Sequence, residues 1–153
     1  MTSAAQAGST SRTMQDLLQT IGTCDGQMED GSLRADVNVS TSNSPFRVEI
    51  KNLNSIRSVE RAIAFEEARL LTIKLEGNET RSFDVKTGAT QLLRDKESAI
   101  DYRFMVEPDL PPLLVSTELV QQCRDSMNEL PNHRRLRLET QFPDLKPQDI
   151  DLF

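Results

Sequence analysis

The chain has 153 residues, with 24 acidic against 18 basic side chains and a formal net charge of −6. That length holds one domain or one and a half, and the acidic balance disfavours a self-sufficient nucleic-acid binder, whose affinity for phosphate comes from a basic surplus. Any contact with RNA must be local, as at Arg134, Arg135 and Arg137, or shared with a partner. No apolar run approaches the ~20 residues needed to cross a bilayer.

Residues 1 to 13 are rich in Ser, Thr and Ala, with Arg12 and no acid. Such a composition buries little apolar surface, so the segment is predicted to be disordered. It is also the composition of an organellar transit-peptide remnant. Met14, Leu17, Leu18 and Ile21 then recur at helical spacing, and Gly22 stands where a left-handed C-terminal cap is wanted. After the turn Glu29-Asp30-Gly31 the period changes to two. Leu33, Ala35, Val37 and Val39 alternate with Arg34, Asp36, Asn38 and Ser40, and Phe46, Val48 and Ile50 alternate with Arg47, Glu49 and Lys51. Joined by the polar turn Thr41 to Pro45, these two runs predict an antiparallel hairpin.

Asn52-Leu53-Asn54-Ser55 supplies cap residues for a long helix with the buried stripe Ile56, Val59, Ile63, Leu70 and Ile73, ended by Gly77. Glu66 interrupts that stripe. A helix of this extent would be roughly 30 Å long. Strand-like character returns at Arg81 to Asp84 and Ala89 to Arg94 around the turn Lys86-Thr87-Gly88. The prolines of Glu107 to Pro112 favour an extended segment that leads into a short strand, Leu113-Leu114-Val115. Beyond a boundary near residue 116, Thr117 caps a helix to about Glu129, and Pro131-Asn132 opens another through Phe142. The expected organisation is a disordered 1–13, an α/β part over 14–115 and a helical part over 116–153.

Chemistry is most legible on the hairpin. If both apolar faces pack on one core, Arg34, Asp36, Asn38, Arg47, Glu49 and Lys51 share the opposite surface. Two carboxylates among cations could hold a magnesium-bound phosphate. The same pattern is also that of a solvated sheet face with cross-strand ion pairs. The chain has no P-loop, no GxGxxG and no nucleophile elbow. The single histidine, His133, excludes a histidine-dependent triad within this chain, and Cys24 and Cys123 stand in no zinc-binding array.

Gly31-Ser32-Leu33-Arg34-Ala35-Asp36-Val37-Asn38-Val39-Ser40 and Val48-Glu49-Ile50-Lys51-Asn52-Leu53-Asn54-Ser55 resemble the GSLRxDxNxS and xExKNLNS segments of the B subunit of aspartyl/glutamyl-tRNA amidotransferase. Glu79-Thr80-Arg81, Arg94-Asp95-Lys96-Glu97, Asp101-Tyr102-Arg103-Phe104-Met105 and Glu107-Pro108-Asp109-Leu110-Pro111-Pro112 resemble later signatures of the same family, in the same order. The resemblance implies an α+β fold: an antiparallel sheet with a long packed helix, part of the family's cradle domain, followed by a partial helical segment. It implies a reaction in which ATP, with Mg2+, phosphorylates the side-chain carboxylate of Glu-tRNA(Gln). Ammonia from glutamine, released by the A subunit, then displaces the phosphate, and the assembly is braced by a small C subunit.

Carried over by motif, Glu49 is the first candidate for a magnesium-facing carboxylate and Asp36 the second. Arg34, Asn38, Lys51, Asn52, Asn54 and Arg103 are candidates to orient ATP or the aminoacyl end. Arg94, Lys96 and Asp101 are further cradle positions. The family's GLEVH and HxEEDxGK segments are missing, so the chain is expected to be partial and inactive alone, with docking on the A subunit as the alternative role. Phe104-Met105 is closer to mitochondrial forms, which implies the mitochondrial matrix, or the cytoplasm if the source is bacterial.

Overall fold

A computed structural model describes residues 1–42, 44–95 and 106–150. The candidates Arg103, Lys96 and Asp101 lie outside the described residues. The elements are α1 (Ala4–Thr20), β1 (Ala35–Val39), β2 (Val48–Leu53), α2 (Ile56–Thr72), β3 (Glu79–Asp84), β4 (Ala89–Asp95), α3 (Thr117–Asp125), α4 (Pro131–Gln141) and α5 (Pro147–Ile150).

The α+β class holds, but the sheet is not purely antiparallel. Its order is β1-β2-β3-β4, with antiparallel outer pairs and a parallel central pair, β2 with β3. The cause is α2. A helix between two strands returns the chain to the end it left, so the next strand runs parallel to the last. Among the described residues the sheet is thus two hairpins joined by one crossover.

Helix α2 begins where Ser55 accepts a hydrogen bond from the Ser58 N–H at 3.0 Å. Val59, Ala62, Ile63 and Leu70 form its buried stripe, packed with Val39, Val48, Ile50 and Leu53 of the sheet. The helix stops at Thr72, and Ile73 is already extended at φ −118°. At 1.5 Å per residue it is about 25 Å long rather than 30 Å. Ile73 is exposed, and Leu75 instead drops into the core.

The N-terminal segment departs from expectation. Residues 4 to 13 are not disordered but form most of α1, which packs against α2. Ser3 caps the helix by accepting from the Gln6 N–H. The Ser and Thr hydroxyls bond back to carbonyls one turn earlier, as Thr10 does to Gln6 and Ser11 to Ala7. Small residues then permit close approach: Ala7 and Gly8 are buried, and a Cβ at Gly8 would fall on the Glu60 side chain of α2. A composition read as too polar to fold is a small-residue helix contact. The helix ends in a Schellman motif, with Gly22 at φ +73° donating to Gln19 and Thr23 to Leu18.

Past the sheet, the expected strand Leu113-Leu114-Val115 does not form. These residues are 83, 90 and 58% exposed in a segment without regular structure, and none of the four described strands pairs with them. Helices α3 and α4 follow as expected, each a little shorter, and neither has a buried residue.

Candidate functional site

The site is built on an irregularity at the end of β2. Val37 pairs with Ile50 and Ala35 with Leu53, so Asp36 alone stands opposite both Lys51 and Asn52. This is a β-bulge. It shifts the inward alternation by one residue, which is why Val48, Ile50 and Leu53 are all buried. Asn52 takes up the extra length in the left-handed region at φ 59°, the only non-glycine residue to do so among those described.

Asp36 holds this bulge from across the pair. Its Oδ1 accepts a hydrogen bond from the Asn52 backbone N–H at 2.8 Å, and its Oδ2 lies 3.5 Å from the Lys51 ammonium. Lys51 Nζ also lies 3.2 Å from Glu49 Oε1. Asp36, Glu49 and Lys51 therefore meet on one side of the sheet, as the alternation predicts. The hydrogen bond to the Glu49 carboxylate, with the negative charges of Glu49 and Asp36, raises the Lys51 pKa above its ordinary value.

The other expected residues fall around this trio. Glu49 has Asn38 opposite it on β1 and Thr80 opposite it on β3. The Glu49 side chain is only 13% exposed and Thr80 is buried. Arg34 lines an open cleft of about 390 Å³ together with Gly31, Ser32, Asp36 and Asn52. Asn54 is exposed in the turn to α2. Arg47 is exposed and precedes β2, its backbone bonded to Asn78 and Glu79. It does not join the trio.

Two groups escaped the sequence reading. Thr80 enters because the β2–β3 pairing is parallel. The second is a buried network on the opposite face, centred on the fully buried Glu66. Arg69 Nε donates to Glu66 at 2.9 Å, Arg81 Nε lies 3.2 Å from it, and the Thr90 hydroxyl donates to the same carboxylate. Glu79 closes the ring, accepting from Arg69 at 2.7 Å and Arg81 at 2.9 Å. The signal was Glu66 in an apolar stripe.

Glu49 and Asp36 offer oxygen donors of the type Mg2+ takes when it is held by one or two carboxylates and substrate phosphates. No group of three or more metal-binding side chains occurs among the described residues, so phosphate, water or residues from elsewhere must complete any coordination. The donor set fits such an ion in kind, with Lys51 as the adjoining cation. No described helix is long and apolar enough to cross a membrane.

Comparison with known proteins places these residues in a wider frame. The family model described as the GatB/GatE catalytic domain matches residues 1–121. The chain is 46% identical over 148 residues to the B subunit of the aspartyl/glutamyl-tRNA(Asn/Gln) amidotransferase of Zymomonas mobilis, covering 92% of this chain and 30% of the relative. It is 42% identical over 168 residues to the B subunit of the mitochondrial glutamyl-tRNA(Gln) amidotransferase of Phytophthora infestans, with 92% and 29% covered. The corresponding mitochondrial protein of Mycosarcoma maydis is 43% identical over 155 residues, with 96% and 24% covered. The chain thus spans under a third of the length of these relatives. With a match over most of its own length, including the bulged hairpin that carries Asp36, Glu49 and Lys51, this chain belongs to the GatB/GatE catalytic-domain family.

Proposed function

We infer that the chain is the part of a tRNA amidotransferase B subunit that contributes one wall of the phosphorylation pocket. In this reading the enzyme converts Glu-tRNA(Gln) to Gln-tRNA(Gln) through a γ-glutamyl phosphate, working with A and C subunits. The observation that carries it is the meeting of Glu49, Asp36 and Lys51 on one face of a hairpin whose sequence is that of the family. Mitochondrial relatives at 42 and 43% identity support a matrix setting, and a bacterial relative at 46% supports a cytoplasmic one.

The chemistry follows from the poor reactivity of a carboxylate, which needs a leaving group before ammonia can displace oxygen. Mg2+, when bound, would screen the charge of ATP and of the phosphoryl group in transfer. Glu49 would hold it. Lys51 presents a positive charge to the same space, as any lysine does at physiological pH, and its contacts with Glu49 and Asp36 hold that charge in position. Arg34 and Asn52, on the adjoining cleft, are placed to orient a phosphate or the aminoacyl end.

The test is Glu49→Gln in a complete B subunit carrying this segment, assembled with its A and C partners. ATP-dependent phosphate release should fall by a factor of about 100 or more, while binding of misacylated tRNA stays near wild type. Unchanged phosphate release would remove Glu49 from the pocket. A second reading of the same segment is a binding module for the A subunit. Reconstitution of the 153-residue chain with A and C subunits, misacylated tRNA, glutamine and ATP separates the two. Association without Gln-tRNA supports the binding module, and turnover supports catalysis by the chain.

A further inference from the structure

Asp36 and Glu49 both touch Lys51, but their surroundings differ. Glu49 sits inside the sheet between Asn38 and Thr80. Asp36 is at the edge strand, its side chain 47% exposed, and its shortest described contact is with the backbone of Asn52. That backbone is the strained point of the site, because a side-chain-bearing residue at φ 59° must be held by its surroundings. The residue preceding it is Lys51 and the residue following is the buried Leu53. The direction in which Lys51 leaves the sheet therefore depends on the conformation of Asn52.

We propose that Asp36 is a positioning residue, acting through the Asn52 backbone to hold the bulge that aims Lys51 at Glu49 and turns Asn52 toward the Arg34 cleft. The role requires an acceptor at Oδ1, not a negative charge. This assignment rests on the phosphorylation-pocket reading for its consequences in catalysis, but the backbone clamp can be measured without it. Glycine occupies the left-handed region without penalty, so a glycine at position 52 dispenses with the clamp.

Three variants decide the matter: Asp36→Asn, Asp36→Ala, and Asp36→Ala combined with Asn52→Gly. In the 153-residue chain, NMR backbone shifts and the amide-to-α-proton coupling at residue 52 report its conformation. Asp36→Asn keeps an acceptor and should leave the residue-52 signals near wild type. Asp36→Ala should move them and lower the melting temperature, and the glycine should restore both. In the complete subunit, phosphate release should fall at least tenfold for Asp36→Ala and distinctly less for Asp36→Asn, which keeps the acceptor. The double variant restores the backbone at residue 52 but lacks the Asn52 side chain, so its rescue is read in the residue-52 signals and the melting temperature.

If Asp36→Asn is as damaging to phosphate release as Asp36→Ala while residue 52 keeps its conformation, the charge itself is required and the proposal fails. If residue 52 is unmoved by Asp36→Ala, the clamp does not exist and the proposal fails as well. Failure of the pocket reading looks different: all variants, and Glu49→Gln, leave phosphate release unchanged, while the residue-52 signals still follow the predicted order.

Discussion

Glu66 of α2 and Arg81 of β3 meet in the interior, Oε1 to Nε at 3.2 Å, with the carboxylate wholly withdrawn from solvent. Buried ion pairs are costly to desolvate, and they hold together only when the remaining donors and acceptors are also satisfied. Here Arg69, Glu79 and Thr90 satisfy them. The ring fastens the crossover helix to the third and fourth strands at one register, since a shift of β3 along β2 would carry Arg81 past Glu66.

Glu66→Ala should therefore destabilise the chain by about 3–5 kcal/mol, because two guanidiniums would then share one carboxylate. Urea titration measures this. Replacing the pair together, Glu66→Leu with Arg81→Met, removes charge on both sides and should recover most of the loss. A double variant no better than the single would show that the ring is not acting as a pair.

The two glycines around the end of α1 separate backbone strain from crowding. Both have positive φ, Gly22 at +73° and Gly26 at +70°, but a Cβ at Gly22 meets open space. At Gly26 it would stand 2.8 Å from Gln15 Cγ and 2.9 Å from Gln19 Nε2, the side chains that bond the Gly26 and Asp25 carbonyls. Gly22→Ala should cost about 1–2 kcal/mol for the left-handed backbone alone. Gly26→Ala should cost more, because those two glutamines must also loosen. Equal losses in thermal unfolding would mean that the glutamine contacts do not constrain the turn.

Alkaline pH probes Lys51. Its pKa is raised in the folded chain above the ordinary 10.5. The folded state therefore binds the proton more tightly, and that stabilisation is complete below the ordinary value. It is lost as pH climbs from there through the folded value. The melting temperature of wild type should fall faster above about pH 10.5 than that of Lys51→Met. Parallel curves would count against the contact with Glu49.

Acid probes Asp25. The Gln27 N–H, bonded to Asp25 Oδ1 at 2.9 Å, and the Ser32 hydroxyl hold its carboxyl below the ordinary 3.8. Its contribution is present above that value and disappears as pH falls through the lower folded value. Asp25→Ala should flatten the acid limb of the stability curve. Protection of the Gln27 amide, taken relative to the intrinsic exchange rate at each pH, should then stop falling in acid.

The hairpin and its polar face were legible because a two-residue period states directly which side chains point together. Val37 and Val39 against Val48 and Ile50 were enough to bring Asp36, Glu49 and Lys51 to one side. The bulge was written more faintly, as the interval of three from Ile50 to Leu53 where two was due. Other features were not local. Thr80 became a neighbour of Glu49 only through the parallel pairing that α2 imposes, and no run of residues around position 80 encodes that. Glu66 was visible as a misfit, but its partners lie on two strands later in the chain. The N-terminal half of α1, residues 4 to 13, was missed for a different reason: Ala7 and Gly8 contribute little area of their own, and their value is in how near they let α1 come to α2.

The division of the sheet into two hairpins also sets an order of assembly. Strands β1 and β2, and likewise β3 and β4, are near neighbours in sequence and can zip from their own turns. The central parallel pair must wait until the chain between Leu53 and Glu79 has coiled into α2, since only then do the two halves face each other. Amides shared between β2 and β3 should accordingly acquire protection after those of either hairpin during refolding, and the surroundings of Glu49, whose neighbours Asn38 and Thr80 lie on either side of β2, should be the last part of the sheet to take shape.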